Sequence, residues 1–60
     1  MNWISVKDEL PERNEDVLCY SDKNGGYFFI GYYIDDSDVW CEHGFMHSGT
    51  VIYWCPLERP

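Results

Sequence analysis

Five side chains that commonly bind transition metals occur in this chain, and four of them lie close together. Cys41, His43, His47 and Cys55 fall within fifteen residues, and Cys19 lies upstream. Thiolate and imidazole groups are preferred zinc ligands, and four of them fill a structural site completely. A chain of 60 residues buries little apolar surface, so a bound zinc ion would stabilise its fold. The pattern predicts a zinc site at the four clustered residues, with Cys19 as the alternate ligand.

The same residues allow two other interpretations. Cysteine is often a small buried hydrophobic residue, and the histidines would then be solvated loop residues. Alternatively, Cys41 could be a nucleophile with His43 or His47 as its base, oriented by Asp38 or Glu42. A chain this short offers little concave volume for a substrate, and acidic neighbours raise the pKa of a thiol. We therefore expect a protein that is not an enzyme.

The charge is strongly negative, with eleven acidic and four basic residues and a formal net charge of −7. Such a surface repels phosphate backbones, so we expect no direct binding of nucleic acid. It attracts a basic partner, unless the charge serves solubility alone. Most of the acids form two local runs, at 8–16 and at 35–38. The predicted partner contacts are Asp35, Asp36 and Asp38, then Glu12, Glu15 and Asp16, together with an exposed aromatic residue, Tyr33.

The cellular setting is predicted from what the chain lacks. No apolar run reaches the roughly 18 residues of a transmembrane helix, and residues 1–4 do not resemble a signal peptide. Three cysteines are an odd number, which argues against a disulfide framework. We expect a single domain over residues 1–60, located in the cytoplasm and not on a membrane.

Hydrophobic alternation and turn residues predict a mainly β fold, with a small α+β fold as the alternative. A short strand is predicted over 3–6, a helical turn over 11–14, and strands over 16–21, 27–34, 39–43 and 50–55. Asn24-Gly25 followed by Gly26 is the strongest hairpin signal. Gly31 indicates a bulge or close packing by a tryptophan. The expected architecture is a four-stranded antiparallel meander with a short N-terminal helical turn, stapled by zinc.

Strand alternation also predicts which side chains share a face. Cys41 and His43 would lie on the face away from Trp40, and Cys55 on the face away from Trp54. If the last two strands are neighbours, these three ligands converge and His47 in the 44–49 loop closes over them.

The aromatic residues are too numerous for one thin sheet to bury on a single face. Tyr27, Phe29, Tyr33 and Tyr53 are predicted on one face, and Tyr20, Phe28, Ile30 and Tyr32 on the other. A loop could cover the second face, or it could form an interface with a target protein or a second copy in a homodimer.

Several stretches resemble a small phage and prophage family, the domain of unknown function 551. They are WISVKDELPE at 3–12, DVLCY at 16–20, GYY at 31–33 with Trp40, and YWCPL at 53–57. The resemblance spans nearly the whole chain and implies an accessory phage protein that works in the bacterial cytoplasm. It implies no general activity. The Cys and His set is not part of the family pattern, so a zinc site would be particular to this chain.

Small acidic phage proteins of this kind resemble inhibitors of host defence, including anti-CRISPR proteins. The resemblance and the charge together favour a non-enzymatic inhibitor that binds a nucleic-acid-handling host nuclease, with a Cas9-type nuclease as the first candidate. The alternative is a small zinc-binding interaction module of the phage with no inhibitory role.

Overall fold

The chain folds around one antiparallel sheet of six strands, in a computed structural model that describes residues 2–57. The order of the strands across the sheet is β1-β6-β2-β3-β4-β5. Their bounds are β1 Ile4–Ser5, β2 Val17–Ser21, β3 Tyr27–Ile34, β4 Val39–Glu42, β5 Phe45–Met46 and β6 Val51–Pro56. Within the described residues the only helix is a single 3₁₀ turn at Lys23–Gly25. The mainly β prediction is therefore confirmed.

The predicted four-stranded meander is only partly right. Strands β2 to β5 do lie side by side in chain order, but β6 returns across the sheet and inserts between β1 and β2. The predicted helical turn over 11–14 is wrong. The chain makes one hydrogen-bonded turn there, in which the Glu15 N–H donates to the Glu12 carbonyl at 3.2 Å.

Strand β5 was predicted as part of a loop. It forms because His43 and Gly44 make a two-residue turn between Glu42 and Phe45, which face each other across the β4–β5 pair. Both turn residues have positive φ, 52° and 80°, as the tight turns that match strand twist require. His43 is thus an exposed turn residue.

Strand β6 is anchored in the core by Trp54. Trp54 is buried and lies opposite both Ile4 of β1 and Cys19 of β2. Its indole N–H donates to the Glu9 carbonyl at 2.8 Å, which ties down the segment after β1. In the same segment the Val6 N–H donates to the Ile52 carbonyl at 3.1 Å. The N-terminal segment therefore folds against β6.

The two faces of the sheet differ sharply in burial. One face, here called the inner face, carries the core residues Val17, Cys19, Phe29, Val51 and Trp54. The opposite, outer face carries alternate residues of the same strands and leaves several aromatic side chains in solvent. This alternation confirms the two-sided pattern that the sequence predicts.

Gly31 lies on the inner face opposite Val17, without a register shift between β2 and β3. The Phe29 ring covers it, so that a Cβ at position 31 would lie 2.6 Å from Phe29 Cε2 and would also press on the Cys41 carbonyl oxygen. The nearest neighbours are therefore the Cys41 carbonyl and the Phe29 ring, where the sequence predicts a tryptophan, and the predicted bulge between β2 and β3 does not occur.

We expect Gly31→Ala to lower the free energy of unfolding by about 1–3 kcal/mol, because the added methyl group overpacks a buried contact. Urea unfolding at neutral pH measures the change. The matched control is Ser37→Ala in the exposed β3–β4 turn, which should change stability by less than about 0.5 kcal/mol. Equal effects of the two substitutions would contradict the packing described for Gly31.

Candidate functional site

The structure does not bring the four predicted zinc ligands together. Cys41 lies in β4 and Cys55 in β6, and strands β2 and β3 separate them. Three strand spacings are about 14 Å along the sheet, whereas two thiolates on one zinc ion lie within about 4.6 Å of each other. The prediction that these two strands are neighbours is wrong, because β6 pairs with β1 and β2.

The two faces of the sheet separate the ligands further. Cys41 and Cys55 lie opposite Tyr32 and Leu18 on the outer face, while His47 contacts inner-face residues. Over residues 2–57, no group of three or more Cys, His, Asp or Glu side chains is arranged to hold a metal ion. The zinc staple has no structural support, and zinc binding stays a prediction from sequence.

His47 is instead the centre of a buried hydrogen-bond network. Its Nδ1 lies 3.1 Å from Glu42 Oε1, and its Nε2 lies 2.8 Å from Ser21 Oγ. The ring stacks on Phe29, with centroids 4.3 Å apart, and on Tyr27 at 5.6 Å. The Tyr27 hydroxyl donates to the second carboxylate oxygen of Glu42 at 3.3 Å, and this negative charge raises the pKa of Tyr27.

The partners define the proton positions on the ring. A carboxylate only accepts, so we assign the proton to Nδ1, which then donates to Glu42. Ser21 Oγ accepts from the Lys23 N–H at 3.2 Å and can donate its own proton to Nε2. Both ring nitrogens are therefore engaged within the protein, which leaves no lone pair for zinc.

Ser21, His47 and Glu42 have the hydrogen-bond order of a hydrolase triad, but the geometry of the site opposes catalysis. Ser21 has no solvent-exposed surface. A Cβ at Gly49 would lie 2.9 Å from His47 Nε2 and 3.1 Å from Ser21 Oγ, which shows how closely the backbone covers the pair. A nucleophile must reach its substrate, so we assign this network a structural role.

The three cysteines, all within the described residues, are buried free thiols. Burial raises the pKa of Cys19 to about 12, and the nearby negative charge of Glu42 adds to the shift. Because the thiolate is the metal ligand and the nucleophile, Cys19 is poorly suited to either role. The expectation that this position holds a buried thiol is confirmed.

The two acidic runs meet at one end of the sheet. Arg13 Nη1 lies 2.7 Å from Asp36 Oδ2 and 3.7 Å from Asp35 Oδ1. Beside this ion pair, the Asn14 N–H donates to the Tyr33 carbonyl at 3.2 Å. Two segments twenty residues apart in sequence therefore form one surface. We call it the acidic end, and its carboxylates are Glu12, Glu15, Asp16, Asp35, Asp36 and Asp38, all exposed.

Tyr33 is not the exposed contact residue that the sequence predicts. It is buried at 4% exposure because β3 places it on the inner face, opposite Trp40. Its hydroxyl donates to Asp38 Oδ1 at 2.6 Å. That hydrogen bond is the main cause that raises the pKa of Tyr33 to about 12, with burial and the charges of Asp38 and Asp35 acting in the same direction.

An aromatic cluster occupies the outer face. The Phe28 ring lies 4.9 Å from Tyr20 and 5.9 Å from Trp3, and Tyr53 lies 6.4 Å from Tyr20. Phe28 is 62% exposed and the adjacent Ile30 is 55% exposed. Tyr53 was predicted on the other face, and its pairing with Tyr20 places it here.

A cavity of about 400 Å³ opens on the inner side of the sheet, between the N-terminal segment, β4 and β6. Its walls are mostly apolar, and Asp38 and Trp40 contribute a carboxylate and an indole ring. The sequence alone indicates no binding role for Trp40. The one signal that could have found this site is the adjacency of Asp38 and Trp40 at the start of a strand.

Comparison with known proteins identifies the family. A family model described as "Protein of unknown function (DUF551)" matches residues 2–60. The chain belongs to this family. Searches of curated proteins and of solved structures each found no match. Membership confirms the resemblance drawn from the opening and closing motifs, and it assigns no activity. Among residues 2–57, no helix has the length and apolar character that a membrane span needs.

The raised pKa values predict a loss of stability in alkali. Unfolded Cys19 ionises near pH 8.5, whereas the folded thiol stays protonated up to about pH 12. Between these values the folded state binds more protons, so the free energy of unfolding falls as pH rises, by at most about 1.4 kcal/mol per pH unit for one group. Tyr33, whose pKa is also raised, likewise lowers the free energy of unfolding as the pH rises above 10.

Urea unfolding under reducing conditions at pH 8, 9, 10 and 11 measures this loss. Cys19→Ala should flatten the decline between pH 9 and 10, and Tyr33→Phe should flatten it between pH 10 and 11. If both variants decline as steeply as the unmodified chain, the assignment of these groups is refuted.

Proposed function

We propose that this protein is a non-enzymatic binding module whose acidic end docks on a basic, nucleic-acid-handling surface of a host protein. The observation that carries the proposal is the joining of two acidic runs around Arg13. The two segments that Arg13 joins carry six exposed carboxylates and one arginine, a net charge of −5 out of the chain's −7. Such a patch steers association with a positive surface and competes with phosphate for it.

The most specific form of the proposal is inhibition of a host defence nuclease of the Cas9 type. A channel that binds a phosphate backbone is lined by lysine and arginine, which an exposed array of carboxylates can engage in place of nucleic acid. Family membership is compatible with this role but does not assign it.

The remaining features of the structure support binding rather than catalysis. The Ser21–His47–Glu42 network is buried and satisfied, and the three thiols are buried. The alternative of a zinc-binding interaction module rests on the sequence pattern alone, since the structure separates the ligands.

Binding kinetics against a Cas9-type nuclease at low and high salt tests the proposal. Asp35→Asn/Asp36→Asn should slow association several-fold at low salt, because rim charges act mainly on the on-rate. The difference from the unmodified protein should shrink at high salt as charges are screened.

The matched control is Asp8→Asn/Glu9→Gln, which removes the same charge from exposed positions outside the acidic end. Equal slowing by both double variants would mean that net charge, and not this surface, guides association. Salt-independent association that neither variant changes would refute docking through the acidic end.

Self-association through the outer face is a separate expectation. Phe28 and Ile30 are exposed beside Trp3 and Tyr53, and an exposed aromatic cluster of this kind is typical of interfaces. Sedimentation velocity over a range of concentrations should show a dimer, and Phe28→Ser should weaken it about tenfold or more. Phe45→Ser, at an exposed position on the edge strand β5, is the control. A chain that is monomeric throughout would contradict the expectation.

A further inference from the structure

The inner-side cavity combines features that suit a long basic side chain. It has a volume of about 400 Å³, at the small end of the range for ligand pockets. Apolar residues form most of its walls, and Asp38 is the one carboxylate-bearing residue among the described residues that line it. The apolar wall residues are Val6, Leu10, Val39, Met46 and Val51.

The carboxylate of Asp38 is held in place by a hydrogen bond. The Tyr33 hydroxyl donates to its Oδ1 at 2.6 Å, and Tyr33 itself is buried. Because the phenol remains protonated to about pH 12, this hydrogen bond persists at every physiological pH. Asp38 forms no ion pair within residues 2–57, so its charge is available to a partner.

Trp40 contacts the same tyrosine that bonds this carboxylate. Its ring is 5.1 Å from the ring of Tyr33, which in turn bonds Asp38. Trp40 is half-buried and lines the cavity. One tyrosine therefore contacts both a carboxylate and an indole ring that line the same cavity.

We propose that this cavity takes the arginine side chain of a basic partner. The methylene stem would contact the apolar walls, as long basic side chains commonly do. The planar guanidinium would pair with Asp38 and stack on Trp40. This inference rests on the proposed function, since it names the anchor by which a basic partner is held next to the acidic end.

Other occupants fit the cavity less well. A purely apolar side chain would exclude water from Asp38 without compensating its charge, which is costly. An anionic group would be repelled by Asp38 and by the neighbouring Asp35 and Asp36. A lysine satisfies the charge, but its compact ammonium group cannot stack on the indole as a guanidinium does.

The binding test uses acetylated, amidated Gly-Arg-Gly as the probe and nuclear magnetic resonance of the tryptophan indole N–H groups as the readout. We expect a saturable shift of the Trp40 resonance with the arginine peptide. The citrulline peptide, which is neutral and nearly isosteric, should give little shift. The lysine peptide should bind more weakly than the arginine peptide.

Two substitutions that each remove one negative charge distinguish binding in the cavity from general electrostatic attraction. Asp38→Asn should weaken binding of the arginine peptide about tenfold, equivalent to about 1.4 kcal/mol. Asparagine still accepts from Tyr33, and it tolerates the positive φ of 53° at this position. Asp36→Asn removes the same charge outside the cavity and should change binding less than about twofold. Trp40→Phe should weaken binding through loss of the larger ring.

Equal binding of the citrulline peptide, or equal effects of Asp38→Asn and Asp36→Asn, would overturn the assignment. Tighter binding of the lysine peptide would overturn the choice of arginine. Absence of any peptide-induced shift, while nuclease association keeps its dependence on salt and on Asp35 and Asp36, refutes the cavity and leaves the acidic end as the docking surface. Loss of that salt dependence refutes the proposed function itself.

Discussion

The position of β6 between β1 and β2 is the constraint on which the rest of the structure depends. Trp54 lies at the centre of this three-strand contact, packed in the core and bonded to the Glu9 carbonyl. An indole buries a large apolar area while its N–H requires a partner. The same interaction therefore closes the core and places the N-terminal segment against β6. That segment supplies Val6 and Leu10 to the wall of the inner-side cavity.

The same strand order separates metal-binding residue types that lie close together in the sequence. Because β2 and β3 lie between β4 and β6, Cys41 and Cys55 cannot share an ion. The fold also joins two acidic runs that are separate in the sequence, because Arg13 of the first run pairs with Asp35 and Asp36 of the second. The candidate surfaces of this protein thus follow from strand pairing, not from spacing along the chain.

How much could be predicted from sequence differs between local and long-range features. The β3 strand was predicted over 27–34 and runs over those residues, because its alternating aromatic residues and the preceding Asn24-Gly25-Gly26 loop are local signals. The insertion of β6 has no local signal. A histidine at a two-residue turn, as at His43, is also an unusual choice, since Asn or Asp commonly precedes the glycine.

The candidate site was less predictable than the fold. The sequence predicts the acids at 35–38 as contact residues, but the burial of Tyr33 and the ion pairs of Arg13 depend on which residues face each other across strands. Residue type predicts His47 as a ligand, because it does not reveal that a Ser21 hydroxyl from β2 and a Glu42 carboxylate from β4 occupy both ring nitrogens. Asp38 and Trp40 both contact the buried Tyr33, and strand alternation alone does not reveal its hydrogen bond to Asp38.

Both outermost strands of the sheet, β1 and β5, are only two residues long. Unpaired backbone groups on a long edge strand invite other chains to extend the sheet, and very short edge strands offer little for such growth. A protein with this sheet resists edge-to-edge aggregation even though its strands are rich in aromatic residues. Sheet extension therefore offers little to another chain, and most of the surface open to contact consists of side chains on the two faces and at the acidic end.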